Sequence, residues 1–114
     1  MHELGIVFHI IKTVERVGAE NKLVQVSAVT LELGEVSGVV PQELSSCWSW
    51  AVKKTELMKE ATLEIETIPA LTFCEGCQKT YETVQHGRIC PLCGSEHTYL
   101  VQGNEINLKE IKAH

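Results

Sequence analysis

Residues 71–100 read LTFCEGCQKTYETVQHGRICPLCGSEHTYL and hold four of the chain's five cysteines as two matched pairs, Cys74-Glu75-Gly76-Cys77 and Cys90-Pro91-Leu92-Cys93. Two thiolates three positions apart can share one ion when a tight turn points both sulfurs inward, and Gly76 in one pair and Pro91 with Gly94 in the other suit such turns. Two such turns complete a tetrahedron with metal–sulfur distances of about 2.3 Å and leave no coordination position open. A catalytic zinc keeps water or substrate in its fourth position, so the closed pattern points to a structural Zn2+ at Cys74, Cys77, Cys90 and Cys93. Rubredoxin-type iron or an iron-sulfur cluster draws on the same soft ligands and is the nearest alternative. A thioredoxin-like redox pair is weaker, because two matched pairs are not needed for it and its strand-helix context is missing. Gln78 to Ile89 separate the pairs and give enough chain for a short hairpin. The whole stretch shows little periodicity and no apolar face of useful length, so burial alone cannot fold it.

Outside this stretch the pattern changes. The chain has 114 residues and 44% hydrophobic content, enough for one modest core carrying a smaller module. Leu4, Val7, Ile10, Ile11, Val14 and Val17 recur at helical steps, predicting a first helix over 4–17 with Gly18 as its stop. Lys22 to Leu33 is rich in β-branched residues and reads as a long strand, with a bulge or two-sided burial near Ala28 and Val29. It runs into the turn-forming Gly34-Glu35-Val36-Ser37-Gly38. Pro41 suits a first helical turn, and the spacing of Leu44, Cys47, Trp48, Ala51, Val52 and Thr55 predicts a second helix to about Leu57. Thr62 to Ile68 alternates as a half-buried strand ended by Pro69, and Glu105 to Ile111 reads as a final strand with Ile106 and Leu108 on one side. The fold class is therefore α+β: two helices packed on a small three-stranded sheet, with an inserted zinc-ribbon module. Residues 1–69 together with 103–114 form the larger domain, and 70–102 the insert.

Charge and composition exclude several functions. The net charge is −5 and aromatics make up only 5% of the chain, which opposes nucleic-acid binding. Around the cysteine pairs, Lys79 and Arg88 stand against Glu75, Glu82 and Glu96. No run approaches the ~20 apolar residues that cross a bilayer, and the start lacks a secretory signal, so a cytoplasmic protein without a membrane role is expected. The closed thiolate site offers no activated water and nothing else resembles a nucleophile with its base, so no enzyme is expected. A zinc-ribbon module binding protein or nucleic acid is the alternative from another class.

The N-terminus carries a second candidate site. Met1-His2-Glu3 places an α-amine, the His2 backbone nitrogen and the His2 imidazole in one chelate, a donor set suited to square-planar Ni(II) or Cu(II) and less to tetrahedral Zn2+. With reference pKa values of about 7.7–8.0 for the amine and about 6.5 for the imidazole, its occupancy should fall below neutrality. Taken alone the signal is weak, and the residues by themselves favour an ordinary frayed terminus. His9 reads as a partly exposed helix residue, and Cys47 as a small buried hydrophobe. His86 and His97 flank the second cysteine pair, either as solvated loop residues or as auxiliary metal or pH-responsive groups.

Taken together, Met1-His2-Glu3, the Gly34-Glu35-Val36-Ser37-Gly38-Val39 stretch before a Pro-initiated helix, Leu63-Glu64-Ile65-Glu66 leading to Pro69, the two cysteine pairs and the terminal Ile106-Asn107-Leu108-Lys109-Glu110-Ile111 resemble the HypA/HybF family over essentially the whole chain. The resemblance implies a nickel metallochaperone acting in maturation of nickel-iron hydrogenase, with Ni2+ as cargo and Zn2+ as the structural ion. It implies Ni(II) bound by His2 with the Met1 amine and nearby backbone nitrogens, and Glu3 supporting that site or contacting the partner. It also implies zinc on the four cysteines. The implied partners are the GTPase of the same pathway, HypB, the hydrogenase large subunit and, in some members, urease maturation proteins. Relatives often carry a histidine near His97 that is linked to zinc-site response or nickel capture.

Overall fold

The computed structural model describes residues 3–114, so Met1 and His2 lie outside the described residues. In chain order the elements are α1 (Glu3–Glu20), β1 (Val26–Gly34), α2 (Pro41–Val52), β2 (Thr62–Ile68), β3 (Leu71–Cys74), β4 (Thr80–Glu82), α3 (Thr83–His86), β5 (Thr98–Gln102) and β6 (Ile106–Ala113). They form two three-stranded sheets, ordered β2-β1-β6 and β4-β3-β5. The expected α+β class with a ribbon-like cysteine module holds, and a single-turn third helix is added to it. The chain divides into two compact units: Met1–Glu32, Val39–Glu66 and Asn107–His114 form the first, Leu33–Gly38 and Thr67–Ile106 the second.

In the first unit, α1 buries Val7, Ile10, Ile11 and Val14, as its helical spacing requires, and packs against α2, which buries Leu44, Trp48, Ala51 and Val52. The Trp48 indole donates from Nε1 to the Ala61 carbonyl at 2.9 Å, satisfying the one polar group of a side chain only 2% exposed. β1 is buried along both faces, which accounts for the apparent face change near Ala28 and Val29: it is the central strand. Thr30, also buried, donates to the Glu64 carboxylate at 2.9 Å, and Lys109 pairs with Glu66 at 2.7 Å.

Gly18 does not stop α1. It is buried inside the helix, where an added Cβ would come 2.7 Å from Leu57 Cδ2, so it serves close approach. The helix ends two residues later in a Schellman turn: Leu23 N–H reaches the Gly18 carbonyl at 2.9 Å, Lys22 N–H points to the Ala19 carbonyl at 3.4 Å, and Lys22 takes the left-handed φ of 54°. That turn uses 21–25 and moves the start of β1 from Lys22 to Val26. α2 also stops early, at Val52 rather than Leu57, because the chain tightens into turns there. Lys54 and Thr55 N–H bond to Ala51 and Val52 carbonyls, and the Thr55 hydroxyl accepts from Met58 N–H at 3.0 Å.

The second unit is built on β3. It pairs antiparallel with β4 through Phe73↔Thr80 and with β5 through Cys74↔Thr98, with a bulge opposite Leu71/Thr72 that leaves Val101 as the extra residue. Gly103 allows a close approach that no other residue could make. Its φ is +117°, and a Cβ there would lie 2.4 Å from Ala70 Cα.

Candidate metal centre

The buried cluster of the second unit consists of Cys74, Tyr81 and Cys90, with Cys77 packed against it. Two of its three members are thus candidate metal ligands, which explains why the sequence showed no apolar face here. Two equivalent loops present the thiols. In the first, Gln78 N–H bonds to the Cys74 carbonyl at 2.8 Å and Cys74 N–H to the Lys79 carbonyl at 2.9 Å; in the second, Gly94 N–H bonds to the Cys90 carbonyl at 2.9 Å and Cys90 N–H to the Ser95 carbonyl at 3.0 Å. The fifth residue of each loop is left-handed, with φ of 59° at Gln78 and 75° at Gly94. Gly94 fills the role expected of it, whereas Gly76 does not. That glycine leaves room for Ser95, whose Cβ would stand 3.1 Å from an added Cβ, and the left-handed turn falls to Gln78.

The four sulfurs lie within 4.8 Å of one another, with Cys74–Cys93 at 3.5 Å and Cys77–Cys90 at 3.7 Å. A tetrahedron with metal–sulfur bonds of about 2.3 Å has edges of about 3.8 Å, so the donor set fits a single tetrathiolate ion. The thiols are unequal. Burial works against the Cys90 thiolate, but the N–H groups of Cys93 and Leu92 and the thiols of Cys77 and Cys74 hydrogen-bond to its sulfur and together lower it from 9.0 to about 7. Cys93 receives a favourable backbone hydrogen bond from Ser95, yet the Cys74 thiol, burial and the other two thiols outweigh it and push Cys93 up to about 11. Burial, then hydrogen bonds from Cys90 and Cys74, raise Cys77 as well. Cys90 ionises readily while Cys77 and Cys93 resist, an imbalance that a dication removes.

The histidines stand apart from this group, which among the described residues comprises the four thiols alone. His86 ends α3, exposed, with its ring edge-on to Tyr81 at 6.0 Å. His97 contributes its backbone: its N–H donates to Ser95 Oγ at 3.0 Å and its carbonyl accepts from Glu75 at 2.9 Å, linking the two loops while the side chain is exposed. Tyr81, whose hydroxyl donates to the Gly87 carbonyl at 2.7 Å, is the structural residue the sequence reading missed. Its signal was its place as the one aromatic between the cysteine pairs.

Of the expected nickel residues, Glu3 is described. It opens α1 at only 7% exposure, and Oε2 accepts the Val40 N–H at 3.1 Å, so its carboxylate ties the start of α1 to the residue preceding α2. Cys47 is half-buried beside Leu4, Ser46 and Trp50 in the first unit. Among the described residues no helix is long and apolar enough to cross a membrane.

Comparison with known proteins joins these features. The sequence profile of a family described as "Hydrogenase/urease nickel incorporation, metallochaperone, hypA" matches residues 1–113. A "Hydrogenase maturation factor HypA" from Rhodopseudomonas palustris (strain TIE-1) is 33% identical over 112 residues, covering 98% of each chain. One from Trichodesmium erythraeum is 37% identical over 112 residues, covering 98% of this chain and 95% of its own. In fold, the chain is similar to the solution structure of the nickel metallochaperone HypA from Helicobacter pylori, with a TM-score of 0.73 at 23% identity over 99% of this chain and 97% of that one. The chain therefore belongs to the HypA family of hydrogenase/urease nickel-incorporation metallochaperones.

Proposed function

We propose that this chain collects Ni(II) at its first residues and hands it on during maturation of nickel-iron hydrogenase, while Cys74, Cys77, Cys90 and Cys93 hold Zn2+. The observation that carries the reading is the family match over residues 1–113, which takes in the N-terminal residues and both cysteine pairs. The division of labour follows from coordination chemistry. Four thiolates around one ion leave no free position and bind too firmly for cargo, so that site serves the fold. Cargo needs an exchangeable site, and the Met1 amine, the His2 backbone nitrogen and the His2 imidazole supply nitrogen donors suited to square-planar Ni(II). Glu3 supports that site: its carboxylate accepts the Val40 N–H, which ties this end of α1 to the residue preceding α2.

The partners in this reading are the pathway GTPase HypB and the hydrogenase large subunit, with urease maturation proteins as a second destination. The chain acts as a carrier and not as an enzyme. The reducing cytoplasm is its compartment, where four thiols stay available to a metal. His86 and His97 are both exposed in the cysteine-bearing unit and stand outside the four-thiol group. The test is metal analysis of untagged protein with a native Met1 amine. The wild type should hold one zinc and bind nickel, and His2→Ala should keep the zinc and lose the nickel. Nickel binding that ignores His2 would overturn the N-terminal site.

A further inference from the structure

The second unit contains a cavity of about 370 Å³ that the metal chemistry does not use, bounded by Val36, Thr72, Thr83, Arg88, Tyr99 and Leu100. That volume falls in the range of small-ligand sites, about 300–1,000 Å³. Its polar lining residues are Thr72, Thr83, Arg88 and Thr98. Thr72 is 3% exposed, and its hydroxyl lies 2.6 Å from that of Thr83; one proton satisfies the pair and the second remains to be donated. The Thr98 hydroxyl donates to the Arg88 carbonyl at 2.7 Å, anchoring the backbone that carries the guanidinium. Among the described residues no hydrogen bond or ion pair engages that guanidinium, although the chain has an excess of carboxylates. Val36, Tyr99 and Leu100 supply an apolar wall.

A second observation bears on what enters. Among the described residues β5 pairs with β3 alone, which leaves its outer edge free, and Tyr99, Leu100 and Val101 are 54%, 37% and 52% exposed along it. A free apolar strand edge is a template for an extended segment. We propose that the cavity receives the C-terminal carboxylate of an extended, apolar peptide segment of a partner protein. The planar guanidinium of Arg88 meets the carboxylate in its two-pronged geometry, the threonine hydroxyl completes the contact, and the preceding residues lie along β5.

The test uses the full, metal-loaded chain, isotopically labelled, titrated with acetyl-Val-Val-Leu bearing a free carboxylate. Parallel titrations use its C-terminal amide, acetyl-leucine and inorganic phosphate. The free tripeptide should shift the Arg88 Nε–H signal and the amides of Thr83 and residues 98–101. The amide should bind at least about tenfold more weakly, and so should Arg88→Ala titrated with the acid, with Arg88→Lys between them. Metal content unchanged in both variants shows that the ribbon is intact. Equal binding of the amide would overturn the carboxylate contact. Equal binding of acetyl-leucine would overturn the peptide in favour of a free small acid, equal binding of phosphate would reduce the site to a general anion contact, and no shift at millimolar peptide would remove it.

Discussion

Stripping the metal from the four-cysteine cluster should unfold the second unit and leave the first folded. The second unit, Leu33–Gly38 with Thr67–Ile106, is of a size at which a hydrophobic core alone rarely suffices. In its buried cluster Tyr81 is the one residue that is not a cysteine. Burying such an aromatic contributes about 1.5–3 kcal/mol, and the tilted Phe73–Tyr99 pair, with ring centroids 5.4 Å apart, adds about 0.5–1.5 kcal/mol. Against these stand about 10–16 kcal/mol if the ion is the structural zinc proposed above, near neutral pH. The metal outweighs the apolar contacts several-fold, so little opposes unfolding once it is gone. Amide hydrogen exchange on the intact chain, before and after treatment with a strong chelator, reads this directly. Protection in β3, β4 and β5 should collapse toward that of an unfolded chain, while β1 residues such as Val29 and Leu31 keep theirs. Protection of β3 and β4 that survived confirmed metal removal would refute the reasoning, as would simultaneous loss in both units.

Three further outcomes are expected. Cys90 ionises at about 7 and Cys93 only at about 11, so metal entry must displace protons, and lowering the pH through 7 protonates the most acidic ligand. Apparent zinc affinity, measured by competition with a chromophoric chelator, should therefore rise from about pH 6 to about pH 8, and a flat profile would contradict the assignment. Gly103→Ala forces a Cβ to 2.4 Å from Ala70 Cα at φ +117° and should destabilise the second unit by roughly 2–4 kcal/mol in urea titrations followed by β5 amides; a change under about 0.5 kcal/mol would count against it. Trp48→Phe removes the 2.9 Å hydrogen bond to the Ala61 carbonyl and leaves that acceptor buried, at a cost of about 1–3 kcal/mol in denaturant unfolding of the first unit; an unchanged midpoint would show that the bond contributes nothing.

Much of this was legible in the sequence, for identifiable reasons. Helical spacing located the buried face of α1, and Pro41 located the start of α2. Alternation ended by Pro69 located β2, whose bounds Thr62–Ile68 are those expected. The cysteine spacing announced a cluster whose sulfurs come within tetrahedral reach. What escaped reading depended on residues acting against type. Lys22 and Gln78 take left-handed conformations usually given to glycine, so the end of α1 and the first cysteine loop carried no visible turn signal. Gly18, read as a stop, makes room for Leu57. The three strands of the second unit are too short to show a period, and their pairing is set by the two loops that gather the sulfurs. The Glu3–Val40 bond joins residues far apart in sequence, and local pattern holds no trace of it.

X-ray absorption at both metal edges, on untagged protein holding one zinc and one nickel per chain, distinguishes a closed sulfur site for a structural ion from a separate nitrogen site for the proposed nickel cargo. Four sulfur neighbours at about 2.3 Å around zinc and a planar shell of nitrogen donors, without sulfur, around nickel are expected. Sulfur in the nickel shell, or fewer than four sulfurs around zinc, would contradict this division.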